Sequence, residues 1–138
     1  MPENAPRTAL MLEFFERWGK DYDTLCQAFR DYLAPDCVWE NAGLPATHGP
    51  QDAIDTILRP ARDSKIGMVA MLVDIVNIGE ANGVVYSERI DHIIRADGST
   101  VMSVPVVGVT EFTDDNKISR WAEYADPTPF VKLMSEPE

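Results

Sequence analysis

The hydrophobic pattern of this chain changes its period about halfway along the sequence. In the first half, apolar residues recur at the three- and four-residue spacing of amphipathic helices. In the second half, β-branched and apolar stretches alternate with turn signals, which is typical of hairpin-connected strands. The predicted helices are Thr8–Lys20, Asp23–Leu33 and Gln51–Leu58, and the predicted long strands are Met68–Ile78, Val84–Ile94, Ser99–Thr113 and Ile118–Asp126. This order predicts an α+β fold in which helices cover one face of an antiparallel sheet.

A short additional strand, Cys37–Asn41, interrupts the helical half. Its alternation places Trp39 and Asn41 on one face. We therefore expect a curved, mixed sheet in which this short strand is outlying, covered by three helices from the N-terminal half and shaped as a cone with one pocket. Pro105 lies inside a predicted strand and indicates a bulge or bend there.

Composition predicts one domain over residues 1–138 and disfavours several classes of partner. Twelve basic against 23 acidic side chains give a net charge of −11, so nucleic acids and anionic membranes would be repelled. No secretory signal is visible, and the longest apolar run, Met68–Val73, is far shorter than the roughly 20 residues of a membrane helix. Cys26 and Cys37 show no metal-ligand spacing, so we expect reduced thiols in a cytoplasmic protein without a metal ion.

Two of the predicted strands are apolar on both faces, Met68–Ile78 and the Val101–Val109 part of the third strand. A sheet with such strands needs cover on its outer face as well, from a helix or from a second subunit. We expect a homodimer that forms through the sheet.

Carboxylates around one arginine are the remaining candidates for chemistry, since motifs for nucleophilic, phosphate-binding and metal-dependent sites are missing from the sequence. Ser87, Arg89 and Asp91 share one strand face, and Asp126 closes the last predicted strand. Two carboxyl groups on one guanidinium can share a single proton, which keeps an acid available at neutral pH. Periodicity alone favours another interpretation: the opposite strand face is more apolar, so Arg89 and Asp91 would form a solvated surface pair.

Four segments in the same order resemble the limonene-1,2-epoxide hydrolase family. They are Val38–Asn41, Glu88–His92, Pro105–Val109 and Lys117–Asp126, and the likeness runs from about Thr8 to Phe130. The resemblance implies a cone-shaped α+β fold, usually dimeric, with a mostly apolar pocket, no cofactor and a small lipophilic epoxide as substrate.

The resemblance also implies roles for five residues. Asp91 matches the general acid that protonates the epoxide oxygen, Asp126 matches the base that takes a proton from water, and Arg89 matches the residue that bridges them. Asn41 and Trp39 match positions that hold the water. The family has Tyr where this chain has Trp39, and an indole N–H can donate a hydrogen bond but cannot accept one.

The same scaffold also resembles ketosteroid isomerases, polyketide cyclases and nuclear-transport-factor-like modules. One alternative is therefore an isomerase or cyclase that uses one aspartate as the base at a carbon acid. Another is a non-catalytic, dimeric module that binds a small ligand. This last alternative predicts that Asp91 and Asp126 lie far apart or are exposed to solvent.

Overall fold

The helical half begins with two helices that lie against one face of the sheet. The structure is a computed structural model that describes residues 6–136, so residues 1–5 and 137–138 of the predicted domain lie outside it. Helix α1 spans Arg7–Arg17 and α2 spans Tyr22–Tyr32. The side chain of Asp21 accepts a hydrogen bond of 2.7 Å from the backbone N–H of Thr24 and so caps α2.

The third predicted helix is longer than expected and contains a π-helical turn. It consists of α3 (Pro50–Ala53), the π turn Ile54–Leu58 and α4 (Arg59–Asp63). Pro60 lies two residues after the π turn, where the regular ladder of i to i−4 hydrogen bonds is already interrupted, so its missing N–H is tolerated. The proline therefore does not end the helix.

Six strands form one open sheet. They are β1 (Leu33–Asn41), β2 (Thr47–His48), β3 (Met68–Ala81), β4 (Val84–Arg95), β5 (Thr100–Phe112) and β6 (Ile118–Tyr124). The order across the sheet is β2-β1-β6-β5-β4-β3. The pair β1–β6 is parallel, whereas the other pairs are antiparallel. The mixed α+β fold is thereby confirmed, and the outlying strand β1 lies beside the last strand.

Two elements were not predicted. The two-residue strand β2 and the C-terminal helix α5 (Thr128–Ser135) were missed. Of the bulge or bend expected at Pro105, the bulge is absent, because Pro105 pairs with Ile90 in an unbroken stretch of register. The pairing of β6 with β5 reaches only to Val107, so Pro105 borders an open edge, where proline is tolerated.

Aromatic side chains fill the space between the helices and the inner face of the sheet. Trp39 on β1 and Trp121 on β6 are register partners, and their rings stack with centroids 4.8 Å apart and planes 11° apart. Phe14 of α1 and Trp18, the C-cap residue of that helix, also contact Trp121, with centroids 5.4 and 5.7 Å away. We call the helix-covered side of the sheet the inner face and the opposite side the outer face.

Two further expectations concern the thiols and the membrane. Cys26 and Cys37 are free and buried. Within residues 6–136, the helices are too short to cross a bilayer. The cytoplasmic location stays a prediction.

Gly49 lies directly before the continuous helical segment from α3 to α4, which we call the helical rod, and it packs closely against β1. Its φ of +88° suits glycine, and an added Cβ would lie 2.4 Å from the carbonyl oxygen of Pro35. Gly98 has a φ of +86° but open space around it, so its replacement by alanine measures the cost of a positive φ without a steric clash. We expect Gly98→Ala to cost about 1–2 kcal/mol and Gly49→Ala clearly more, measured by urea unfolding. Equal losses would show that the contact with Pro35 is easily relieved.

Candidate active site

Arg89 is buried at the centre of the inner face, with 1% of its surface exposed. Its guanidinium carbon lies 4.6 Å from the ring centroid of Phe15 and 5.6 Å from that of Trp18. The interpretation of Arg89 and Asp91 as a solvated surface pair is therefore wrong. The more polar face of β4 is buried because the aromatic residues of α1 cover it.

Two carboxylates bind the Arg89 guanidinium. Nε and Nη2 donate hydrogen bonds of 3.0 and 2.9 Å to the two carboxylate oxygens of Asp91. Nη2 also donates a hydrogen bond of 2.9 Å to Oε1 of Glu123, and Nη1 lies 2.8 Å from Oε2 of Glu123. Arg89 thus joins Asp91 on β4 to Glu123 on β6.

Arg89 contacts Glu123 where the sequence analysis expected it to contact Asp126, and the choice of the base stays a proposal. Strand β6 ends at Tyr124, so Asp126 lies in the loop that follows and is exposed. Its side chain accepts a hydrogen bond of 3.0 Å from the backbone N–H of Thr128, at the start of α5. This hydrogen bond holds the pKa of Asp126 below its usual value.

A signal in the sequence could have identified Glu123. Side chains alternate along a strand, so Trp121 and Glu123 share one face, and Ala122 and Tyr124 share the other. By the same alternation, Asp126 at the end of the predicted strand would lie on the second of these faces. A tryptophan indicates the buried side, and in the structure both Trp121 and Glu123 are buried.

Trp39 and Asn41 lie next to this pair on the parallel strand β1. Asn41 is the register partner of Glu123, so the two side chains are neighbours on the inner face. Trp39 is buried, and its indole N–H has no hydrogen-bond partner in the described part of the chain. The predicted alternation of Trp39 and Asn41 is confirmed, since both residues line the pocket.

The pocket itself is mainly apolar, with Asp91 and Glu123 among its polar groups. Its cavity volume is about 100 Å³. Asn41 and Asp126 are the other polar side chains at its wall. The apolar wall is built from two tryptophans and from residues of the helical rod, the sheet, the loop after β1 and α5. These residues are Trp18, Trp39, Leu44, Ile57, Leu58, Met68, Met71, Ile93, Val104, Val106 and Phe130.

Burial and charge act in opposite directions on Glu123. Burial raises the pKa of its carboxyl group, Arg89 lowers that pKa, and the nearby Asp91 raises it again; the net direction is upward. A fully ionised set of Asp91, Arg89 and Glu123 carries a net charge of −1, whereas one shared proton makes the set neutral. A low-dielectric pocket favours the neutral set.

A second polar cluster lies on the outer face. The ring nitrogens of His92 are 2.7 Å from Ser103 Oγ and 2.7 Å from Asp74 Oδ2. The Asp74 side chain is 72% exposed, and none of these three residues lines the pocket of the candidate active site. The cluster contains the residue types of a hydrolase triad, but it lies on the side of the sheet opposite that pocket. Residues 6–136 contain no group of three potential ligands suited to a metal ion.

Two carboxyl groups held by one buried guanidinium at an apolar pocket define a site suited to general acid–base chemistry. The model of the limonene-1,2-epoxide hydrolase catalytic domain matches residues 9–135. The chain therefore belongs to the limonene-1,2-epoxide hydrolase family.

Solved structures support both this family and a wider fold group. An epoxide hydrolase of the same type from M. tuberculosis is 26% identical, with a TM-score of 0.69 over 96% of this chain and 92% of that one. A structure assigned to the SnoaL-like polyketide cyclases, from Jannaschia sp. CCS1, is 17% identical, with a TM-score of 0.72 over 100% and 97% of the two chains. An NTF2-like protein of unknown function from Burkholderia pseudomallei is 15% identical, with a TM-score of 0.72 over 96% and 99%. The last two similarities show the fold alone.

Removal of the Arg89 charge tests how strongly the two carboxylates depend on it. Arg89→Gln leaves buried carboxylates unpaired, so we expect a loss of about 3–5 kcal/mol in unfolding free energy. The loss should grow with pH, because without the guanidinium the pKa of Glu123 rises further above its unfolded value of about 4.3 than it does in the wild type, and stability falls as the group ionises. Urea unfolding at pH 5 and pH 8 measures both effects.

Arg120→Gln is the matched control for this experiment. Arg120 also contacts two carboxylates, Glu40 at 3.0 Å and Glu111 at 2.7 Å, but its side chain is 41% exposed. We expect its loss to cost no more than about 1 kcal/mol. A similar cost for the two variants would contradict the importance of the buried ion pairs.

Proposed function

We propose that the protein hydrolyses a small lipophilic epoxide to a vicinal diol in one step, by direct attack of water. The observation that carries this proposal is the pair of buried carboxyl groups, Asp91 and Glu123, on one guanidinium at the pocket wall. Epoxide opening needs an acid for the leaving oxygen and a base for the attacking water, and a neutral set with one proton supplies both.

We assign the base to Glu123 and the acid to Asp91. Asn41 lies beside Glu123 across the β1–β6 pair, so an amide and a carboxylate are close enough to hold a water between them. Asp91 lies among apolar pocket residues such as Ile93 and Val106, where an epoxide ring would bind.

In the proposed step, Glu123 removes one proton from the water while the water oxygen forms a bond to a ring carbon of the epoxide. The bond from that carbon to the epoxide oxygen breaks, and the oxygen takes the proton of Asp91. The product is a diol that contains all atoms of the epoxide and the water. Transfer of the proton from Glu123 back to Asp91, beside the same guanidinium, restores the starting state.

Trp39 would take part as a hydrogen-bond donor. Its buried indole N–H lacks a partner within the described residues, and such a group gains stability from any oxygen acceptor that reaches it. Because an indole cannot accept a hydrogen bond, the acceptors for the water protons would be Glu123 and the amide oxygen of Asn41.

The size of the pocket favours compact substrates. Its volume of about 100 Å³ is of the same order as the cavity of about 150 Å³ that binds benzene in another protein. Cyclic or aromatic epoxides with one ring, such as cyclohexene oxide or styrene oxide, are therefore suitable first substrates.

Two carboxyl groups on one guanidinium favour epoxide opening over the alternatives. An isomerase or cyclase with one carboxylate base gives the second carboxyl no role. A non-catalytic module agrees with the exposed Asp126, but it leaves the burial of Asp91, Arg89 and Glu123 unexplained. Hydrogen exchange in D₂O at a carbon next to a carbonyl, without diol formation from epoxides, would favour the isomerase.

A single-turnover experiment in ¹⁸O-labelled water, with enzyme in excess of epoxide, tests the direct attack of water. We expect one ¹⁸O atom in the diol of the first turnover, measured by mass spectrometry. An unlabelled first-turnover diol, with ¹⁸O appearing in a protein carboxylate, would demonstrate a covalent ester and reject the proposed step.

Three amide substitutions test the assignment of the carboxyl groups. Asp91→Asn and Glu123→Gln each remove an acid–base group, so kcat should fall by about 10²–10⁴-fold. Asp126→Asn is the matched control, because Asp126 is exposed and bound to Thr128, and we expect kcat to change by less than about threefold. Thermal unfolding checks that each variant is folded. A large loss of kcat in Asp126→Asn, with Glu123→Gln active, would instead support Asp126 as the base.

We further propose that two copies of the chain associate through the outer face. Leu72, Tyr86, Val107 and Tyr124 are about half exposed, and strand pairing places them on this face. Exposed apolar side chains spread over one sheet face suit a two-fold contact, because each copy then presents the same surface.

Val107→Lys introduces a charge at the centre of the outer face and should convert a dimer to a monomer. Light scattering during size-exclusion chromatography measures the mass. The control is Leu12→Lys, since Leu12 is also exposed, at 43%, but lies on α1. A monomeric wild-type protein, or a Val107→Lys variant that stays dimeric, would reject this interface.

A further inference from the structure

The ion pair between Arg89 and Glu123 has to cross an intervening strand. Arg89 lies on β4 and Glu123 on β6, and β5 runs between them. Neighbouring strands are about 4.8 Å apart, so the two backbones are separated by about 10 Å. In this part of the sheet, Ser87 on β4, Gly108 on β5 and Glu123 on β6 are consecutive register partners. The guanidinium therefore passes over β5 at Gly108.

A side chain at position 108 would occupy the place of the ion pair. A Cβ added to Gly108 would lie 2.9 Å from Glu123 Oε2, 3.0 Å from Arg89 Nη1 and 3.1 Å from Ser87 Oγ. All three distances are shorter than ordinary van der Waals contacts to carbon. The atoms in the way belong to the candidate active site and to the serine beside it, not to the backbone.

The backbone itself does not require a glycine at this position. The φ angle of Gly108 is not positive, so any L-residue can adopt its backbone conformation. A glycine inside a strand lowers stability because it loses more conformational freedom and offers no side chain for packing. Space for neighbouring groups is the remaining physical reason for glycine in the middle of β5.

We propose that Gly108 is a positioning residue of the site: its missing side chain opens the gap through which Arg89 reaches Glu123. In its kinetic consequences this inference rests on the proposed function, since it takes Glu123 as the base. The geometric part does not depend on any substrate. Gly108 acts through Arg89 and Glu123 and is not itself a catalytic residue.

Alanine at position 108 should leave the fold intact but change the ion pair. The closest atoms are the ends of the long side chains of Glu123 and Arg89, which can turn aside, so the clash is relieved without moving the backbone. The relief separates the carboxylate from the guanidinium. Burial then raises the pKa of Glu123 with less opposition from Arg89.

The other groups around Glu123 do not replace this contact, since the Trp121 indole also lowers the pKa of Glu123 but is neutral and has the smallest effect. Asp91 on β4 carries the same charge sign and raises the pKa of Glu123. Asn41 on β1 is neutral, Asp126 in the loop after β6 is an acid at the same pocket, and α1 contributes aromatic rings over Arg89. Arg89 is thus the cation that opposes the burial of Glu123, and its distance controls the proton affinity.

The test measures the proton affinity of Glu123 directly, in the ligand-free protein. The glutamate side-chain carboxyls are labelled with ¹³C and titrated by NMR, and the Glu123 signal is assigned by its loss in Glu123→Gln. An opposite charge at contact distance shifts a pKa by about 1–3 units, so partial separation in Gly108→Ala should raise the proton affinity of Glu123 about tenfold.

Gly79→Ala is the matched control. Gly79 also lies within a strand, its φ is not positive, and an added Cβ would meet nothing within 4 Å. We expect its Glu123 titration to equal that of the wild type. An unchanged Glu123 titration in Gly108→Ala would overturn the inference, and so would a loss of thermal stability without a titration shift.

Kinetics supply a second readout and a rescue. In Gly108→Ala the low-pH limb of the kcat/KM profile for epoxide hydrolysis should move to higher pH by the same amount as the Glu123 titration, because the base must be ionised. Glu123→Asp shortens the side chain and makes room for the new methyl group. Gly108→Ala should therefore reduce kcat less in the Glu123→Asp background than in the wild type. If the two substitutions acted independently, Gly108 would not be the residue that makes room for the contact between Arg89 and Glu123.

The two readouts separate the two proposals. A titration shift in a protein that hydrolyses no epoxide would reject the proposed function and retain the role of Gly108. Epoxide hydrolysis by the wild type, with no titration shift and no movement of the low-pH limb in Gly108→Ala, would do the reverse.

Discussion

The buried charge of Arg89 is the constraint on which the rest of the site depends. A guanidinium inside a protein is costly unless each of its donors finds an acceptor and its charge is balanced. Asp91 and Glu123 supply both conditions, from two strands that are not neighbours. The same contacts bring two carboxyl groups close enough to share a proton, so the ion pairs that permit the burial also produce an acid and a base.

The aromatic cluster makes this arrangement effective. Phe15 and Trp18 cover the guanidinium from α1, and the stacked pair of Trp39 and Trp121 lies beside Glu123. Bulk water is thereby kept from the guanidinium, and electrostatic interactions are stronger in such surroundings. The same packing leaves the Trp39 indole N–H buried without a hydrogen-bond partner among the described residues. This N–H is therefore available to an oxygen atom that enters the pocket.

The scaffold alone does not decide the chemistry. Structures with this fold include a protein assigned to the polyketide cyclases and an NTF2-like protein of unknown function. Function has to be argued from the site, because one fold can present different side chains to the same pocket. In this chain the set presented to the pocket is Asp91, Arg89 and Glu123, and the gap at Gly108 is the backbone feature that allows it.

The sequence by itself determined the α+β class, the long strands and the alternation that puts Trp39 and Asn41 on one face, because these follow from local periodicity. It also pointed to Arg89 and Asp91, which are two residues apart on one strand. Tertiary structure alone decided that their face is buried, since the cover comes from α1. It also decided that β6 ends at Tyr124, so that Asp126 lies in a loop while Glu123 meets Arg89 across β5. The alternation from Trp121 marks Glu123 as a candidate, but the contact with Arg89 depends on pairing between strands that are distant in sequence.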